Sequence, residues 1–148
     1  MFIRITEKIE ASPEMVWNAI SDIQTHVEWM ADASDIRITS EQTEGIGVTF
    51  DCDTKVGPLK TTDKMQITEW TPNQTLTIRH KGLVEGTGSF ILEKNSDGKT
   101  LFIWEEKLDF PLLFGGRVTE FFAKPVLIKI WKKNLFRLKH LVETSERS

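Results

Sequence analysis

Apolar positions along the chain recur with two different periods. Between Asp35 and Phe110 they alternate with polar ones, most cleanly where Ile46, Val48, Phe50 and Cys52 are interleaved with Gly47, Thr49, Asp51 and Asp53. A period of two gives a strand one apolar and one wet face. Glu44-Gly45, Val56-Gly57-Pro58, Thr71-Pro72-Asn73, Lys81-Gly82 and Asn95-Ser96-Asp97-Gly98 break the alternation, predicting strands near 35–41, 46–54, 60–70, 74–81, 84–94 and 99–110. The separators are short, so neighbours should pair antiparallel. Phe2 to Glu10 reads as an earlier strand, ended by Ser12-Pro13-Glu14. There Ser12 can cap a helix, Pro13 wastes no amide at its first position, and Val16, Trp17, Ile20 and Ile23 follow at helical spacing. Thr25-His26-Val27-Glu28 has the form of a capping box for a second short helix carrying Trp29 and Met30. A one-sided sheet needs a cover. The C-terminal segment supplies it, with Val118, Phe121, Phe122, Leu127, Ile130, Trp131, Leu135, Leu138, Leu141 and Val142 three and four apart. Pro125 inside this segment predicts a bend or interruption, because it removes the amide that would bond to the Phe121 carbonyl. The turn before it, carrying Phe121 and Phe122, with the loop 110–116, then reads either as a rigid kink that improves packing, the preferred reading, or as a gate for an apolar ligand.

The length of 148 residues suits one domain over 1–148 with a single core. A chain of this size buries roughly 70% of its unfolded surface, so neither disulfide nor metal is required. Cys52 is the only cysteine, which excludes an internal disulfide and favours a reducing, cytoplasmic setting. No apolar run has the length of a signal peptide or a membrane span, so neither secretion nor insertion is expected. Charge alters the picture only in the last helix. Lys129, Lys132, Lys133, Arg137 and Lys139 lie between Pro125 and Val142 without one acidic residue, which leaves the rest of the chain at −8 against a total of −3. Phe136 falls within this basic arc, so Lys129, Lys132, Lys133 and Phe136 form a candidate surface for transient contact with an anionic membrane or an acidic partner, the preferred alternative being a solvated helix face with one exposed Phe. No stable nucleic-acid binding is expected.

The order of these pieces resembles the START-like (SRPBCC) superfamily, in the branch of polyketide cyclases, dehydrases and lipid-transport proteins. The resemblance covers nearly the whole chain. It rests on the opening strand, Ser12-Pro13-Glu14-Met15-Val16-Trp17 with Ser21-Asp22 behind it, Trp29, Gly45-Ile46-Gly47, Trp70-Thr71-Pro72 before Leu76, Gly98-Lys99-Thr100, and Leu135 to Glu143. It implies an α+β helix-grip fold: a curved antiparallel sheet of about seven strands around a long C-terminal helix, with two short helices after the first strand. It also implies an internal cavity for a lipid, polyketide, sterol or similar apolar molecule. The superfamily mixes carriers, receptors, cyclases and ribosome-associated factors, so it does not by itself imply an enzyme.

No nucleophile elbow, phosphate loop or His-Glu-x-x-His motif is present, and His26, His80 and His140 fall on different elements. Neither a metal site nor a cofactor is expected. Asp51 and Asp53 read as a solvated face, and Gly86-Thr87-Gly88 as a bend in a strand. Glu106 is different: it shares the parity of Phe102, Trp104, Leu108 and Phe110, which would place a carboxylate in an apolar cavity and raise its pKa. The competing reading takes Leu101 and Ile103 as the buried parity and leaves Glu106 wet. His80 follows Leu76 and Ile78 in the same way, and Glu69 follows Met65 and Ile67. Glu106 and His80 are therefore the candidate acid and base, each with an ordinary structural role as the alternative. The candidate cavity lining is Trp29, Phe50, Met65, Ile67, Ile78, His80, Phe90, Phe102, Trp104, Glu106, Leu108, Phe110, Phe122, Leu127 and Ile130. Three functions follow: binding or transport of a small apolar ligand, a cyclase, aromatase or dehydratase using Glu106 and His80, and a protein- or ribosome-interaction factor. The first is preferred, since no complete catalytic constellation is visible.

Overall fold

The computed structural model describes residues 1–111 and 115–147. Strand β1 (Phe2–Ile9) leads into helix α1 (Pro13–Ser21) and a 3-10 helix (Ile23–Glu28). Strands β2 (Ala33–Ile38), β3 (Thr49–Val56), β4 (Leu59–Thr71), β5 (Thr75–Lys81), β6 (Glu85–Lys94) and β7 (Thr100–Asp109) follow, then helix α2 (Arg117–Arg147). All pairings are antiparallel in one seven-stranded sheet of order β1-β7-β6-β5-β4-β3-β2. The meander runs to β7, and β1 closes that edge. This is the helix-grip architecture, with the sheet curved around α2.

Local chemistry explains the short elements. The Ser12 hydroxyl accepts the Met15 amide at 3.3 Å, and Pro13 opens α1. The capping box at Thr25 does not form. The 3-10 helix has already begun at Ile23, so the Thr25 hydroxyl donates backward to the carbonyls of Ala19 and Asp22, and Trp29 follows the helix instead of riding on it. The β2–β3 connection is longer than expected, with Gly45 and Gly47 both at positive φ; Ile46 between them is exposed rather than part of β3. Helix α2 runs uninterrupted through Pro125, contrary to an interruption there. Residues 112–114 of the candidate gate loop lie outside the described residues.

The core sits between the concave sheet and the second half of α2. Trp131, Leu135, Leu138 and Val142 pack against Ile3, Ile5, Trp29, Phe90, Phe102 and Trp104. Burying side chains of this size contributes roughly 1.5–3 kcal/mol each. Asn134, also fully buried, lies among them. Its Oδ1 accepts the Ala31 amide at 3.0 Å and its Nδ2 donates to Asp32 Oδ1 at 2.8 Å, while Trp131 Nε1 donates to Asp32 Oδ2 at 3.3 Å. These bonds tie α2 to the segment leading into β2.

Candidate functional site

Between the sheet and the first half of α2 lies a cavity of about 360 Å³. Strands β3, β4, β5, β6 and β7 wall it with their inward side chains, and α2 closes it with Thr119, Ala123, Leu127 and Trp131, spaced four residues apart. Of the candidate lining residues, Phe50, Met65, Ile78, His80, Phe90, Trp104, Glu106, Leu108, Phe110 and Leu127 face this space. The others do not. Trp29, Ile67 and Phe102 are buried in the core, where Trp29 packs its ring on His26, Phe90 and Trp104. Ile130 packs against the core, and Phe122 points to solvent at 68% exposure, turned about 100° around α2 from the cavity-facing Ala123.

The inward parity of β7 is the one containing Glu106. Its carboxylate accepts from His80 Nε2 at 3.1 Å and from Trp104 Nε1 at 3.0 Å. The imidazole and the carboxylate come from strands that are not neighbours: β6 separates His80 on β5 from Glu106 on β7, and their register partners on β6 are Gly86 and Gly88. A Cβ at Gly88 would collide with the Glu106 carboxylate, so the bare backbone of β6 is the gap through which the two groups meet. The Gly86-Thr87-Gly88 segment therefore clears space, a role that strand bending alone does not capture.

Asp63 on β4 extends the cluster on the other side of His80. Burial holds its carboxyl above the ordinary value, opposed by the charge of His80 and a 3.3 Å bond from the Thr54 hydroxyl. Gly82 leaves room for this carboxylate as Gly88 does for Glu106. For His80, burial acts to lower the pKa, but Glu106, Asp63 and the backbone at Val84 together outweigh it and raise the imidazole above its usual value. His26, also on the cavity wall, behaves oppositely. Complete burial pulls it down to about 4, against a 2.7 Å contact with the Ile20 carbonyl, so it is neutral at pH 7. Cys52, a small inward residue, has its thiol pushed up to about 11 by burial.

Glu69 does not join the cluster. A bulge between Ile67 and Glu69 breaks the alternation of β4 and turns Glu69 outward, where it accepts from the Thr77 hydroxyl. Asp51 and Asp53 lie on the wet face, Asp53 paired with Arg37. Among the described residues no group of His, Cys, Asp and Glu has the arrangement of a metal site. On the outer side of α2, Phe136 is half exposed with its ring edge-on to His140 at 4.6 Å. Lys129, Lys132 and Lys133 are exposed around it, whereas Lys139 bonds to the Lys8 carbonyl and Glu143. Sequence reasoning did not single out Asp63, Asp32 or Trp131 as cavity residues. Asp63 shares the parity of Met65, and that was the available signal.

The family described as polyketide cyclase/dehydrase and lipid transport matches residues 3–143. No curated protein matches the sequence. Among solved structures, the fold superposes on TTHA0849 from Thermus thermophilus with a TM-score of 0.81 at 11% identity, covering 98% of this chain and 99% of that one. The ZhuI aromatase/cyclase from Streptomyces sp. R1128 gives a TM-score of 0.81 at 11% identity, over 97% and 93% of the two chains. A START superfamily protein from Mycobacterium smegmatis gives 0.77 at 14% identity, over 97% of each. At such identities the likeness concerns the fold. Among the described residues no helix is long and apolar enough to cross a membrane.

Proposed function

The chain belongs to the polyketide cyclase/dehydrase and lipid transport family within the START-like superfamily, and from that premise we propose that it binds a small, mainly apolar molecule between its sheet and α2. The observation that carries the reading is the cavity of about 360 Å³, walled by aromatic and aliphatic side chains with Asp63, His80 and Glu106 gathered on one stretch of wall. Ligand pockets typically measure roughly 300–1,000 Å³, so this one suits a ring system or a short chain. Each Glu106 oxygen already accepts one hydrogen bond and keeps a second lone pair for a ligand hydroxyl. Calorimetric titration with 2-(1-naphthyl)ethanol and 1-ethylnaphthalene tests this. Glu106→Gln should weaken the alcohol about tenfold, as loss of a bond to a charged group implies, and leave the hydrocarbon unchanged. Failure of both compounds to bind the wild type would remove the reading.

A second reading is favoured by the His80–Glu106 contact itself. His80, whose pKa is raised above its usual value despite burial, mainly by Glu106, can when protonated give its Nε2 proton to a ligand carbonyl oxygen while Glu106 takes one from the adjacent carbon, leaving an enol that can close a ring. An aromatase/cyclase shares the fold, and such chemistry suits a polyketide. Cyclisation of a short poly-β-ketone thioester by the wild type, lost in both His80→Gln and Glu106→Gln, is the expected result. Equal rates with and without protein would dismiss it.

A further inference from the structure

We propose that the cavity is built for ligands bearing a protonated amine, with Asp63 as the counter-ion, and that it rejects carboxylates. The inference rests on the binding reading above and names the chemistry of the ligand's polar end. Among the described residues the cavity wall contains no lysine and no arginine. Its charged groups are Asp32, Asp63, Glu106 and His80. Carboxylate-binding sites commonly present a guanidinium or ammonium; the only cation available here, among the described residues, is His80. That imidazole is already committed, its Nε2 bonded to Glu106, while the backbone at Val84 and the charge of Asp63 on β4 also act on it. Two carboxylates around one imidazolium leave the trio net negative even when His80 is protonated.

Of the cavity carboxylates, Asp63 has the most unused capacity: Glu106 accepts one hydrogen bond on each oxygen, and Asp32 is held by Trp131 and Asn134. Asp63 has one long bond, from the Thr54 hydroxyl, and no lysine or arginine within ion-pair distance among the described residues. Gly82 is bare beneath its carboxylate, so the sheet yields volume to hold this group in place. An ammonium there would gain an ion pair at a partly buried carboxylate, where such contacts are stronger than on an open surface. The walls add to the preference. Phe50, Phe90, Phe110 and the stacked pair Trp104–Trp131, with centroids 5.2 Å apart, make the lining aromatic, and cations are attracted to the face of such rings. A carboxylate ligand would meet like charge at Asp63 and Glu106 and gain nothing from those faces.

The test is calorimetric titration at pH 7 with two matched series: 2-(1-naphthyl)ethylamine, 2-(1-naphthyl)ethanol and 1-naphthylacetic acid, then decylamine, decanol and decanoic acid. The amine should bind about tenfold or more tighter than the alcohol, and the acid most weakly. Asp63→Asn should bring amine and alcohol to within about threefold of each other. Acid binding equal to that of the amine overturns the inference on wild-type protein alone, whether or not the variant folds. So does an amine no better than its alcohol, or an amine advantage that survives in Asp63→Asn. No binding in either series overturns the cavity reading and this inference with it, whereas alcohol binding without an amine preference overturns only this one.

Discussion

His26 and His80 share one cavity wall, yet their environments push them in opposite directions. No carboxylate bonds to His26, so burial dominates and its folded pKa is about 4, below the usual 6.5. The unfolded chain therefore binds the proton more readily, and stability is lost as pH falls from about 6.5 toward 4, by roughly 3 kcal/mol over the interval. His80 has the reverse sign. Its raised folded value gives a contribution fully present below about 6.5 and lost as pH rises through the folded pKa. Taken together, the histidines favour maximum stability near the ordinary histidine pKa. Heteronuclear NMR of the imidazoles should find His80 titrating above 6.5 and His26 near 4. In Glu106→Gln the main force raising His80 is gone while its burial remains, so that resonance should move downward; an unmoved His80 would mean that the 3.1 Å contact does not govern it.

Helix α2 is one element with two unlike halves. From Arg117 to Ile130 no side chain is fully buried, and Val118, Phe121, Phe122 and Val126 are exposed; from Trp131 to Val142, Trp131, Asn134, Leu135, Leu138 and Val142 are in the core. Pro125 lies in the weakly anchored half, where it removes one backbone hydrogen bond. Amides of 117–124 should therefore exchange faster than those of 131–142, and Pro125→Ala should narrow the difference while raising stability by up to about 3 kcal/mol. Equal protection along the helix would count against any opening there. The proline was visible in the sequence, but the bond it removes did not interrupt the helix, since packing beyond the site can hold a helix through a missing bond. The same limit applies to strands. Period-two alternation correctly placed Glu106 and His80 inward, and it misplaced Glu69 because a bulge after Ile67 adds one residue that no composition signal marks. The pairing of His80 with Glu106 across β6 was hidden for another reason. It depends on what Gly88 lacks, and a glycine in a strand has several uses that one sequence cannot separate.

The whole molecule is a sheet and a helix that must stay at a fixed distance for a cavity to exist between them. Hydrophobic contacts draw α2 onto the sheet but are not directional, and left alone they would favour collapse of the empty space. The polar contacts of Asn134 and Trp131 supply the direction. Fully buried, Asn134 bonds to the Ala31 amide and to Asp32, and the same Asp32 carboxylate holds the indole of Trp131, whose ring closes the cavity and stacks on Trp104. The latch thus fixes both the axial position of α2 and one wall of the site. Asn134→Leu keeps the volume and the apolar packing but leaves the Ala31 amide unpaired and takes one donor from Asp32. A cost of about 1–3 kcal/mol follows for the unsatisfied group. It should appear as a lower urea midpoint with an unchanged slope, because the native fold and its buried area persist. Ligand binding should weaken by more than stability alone requires, since Asp32, which anchors Trp131, loses one of the two side-chain bonds that hold it. Measured at pH 7 without denaturant, an unchanged ligand affinity beside a lowered midpoint would show that the latch serves the fold and not the cavity.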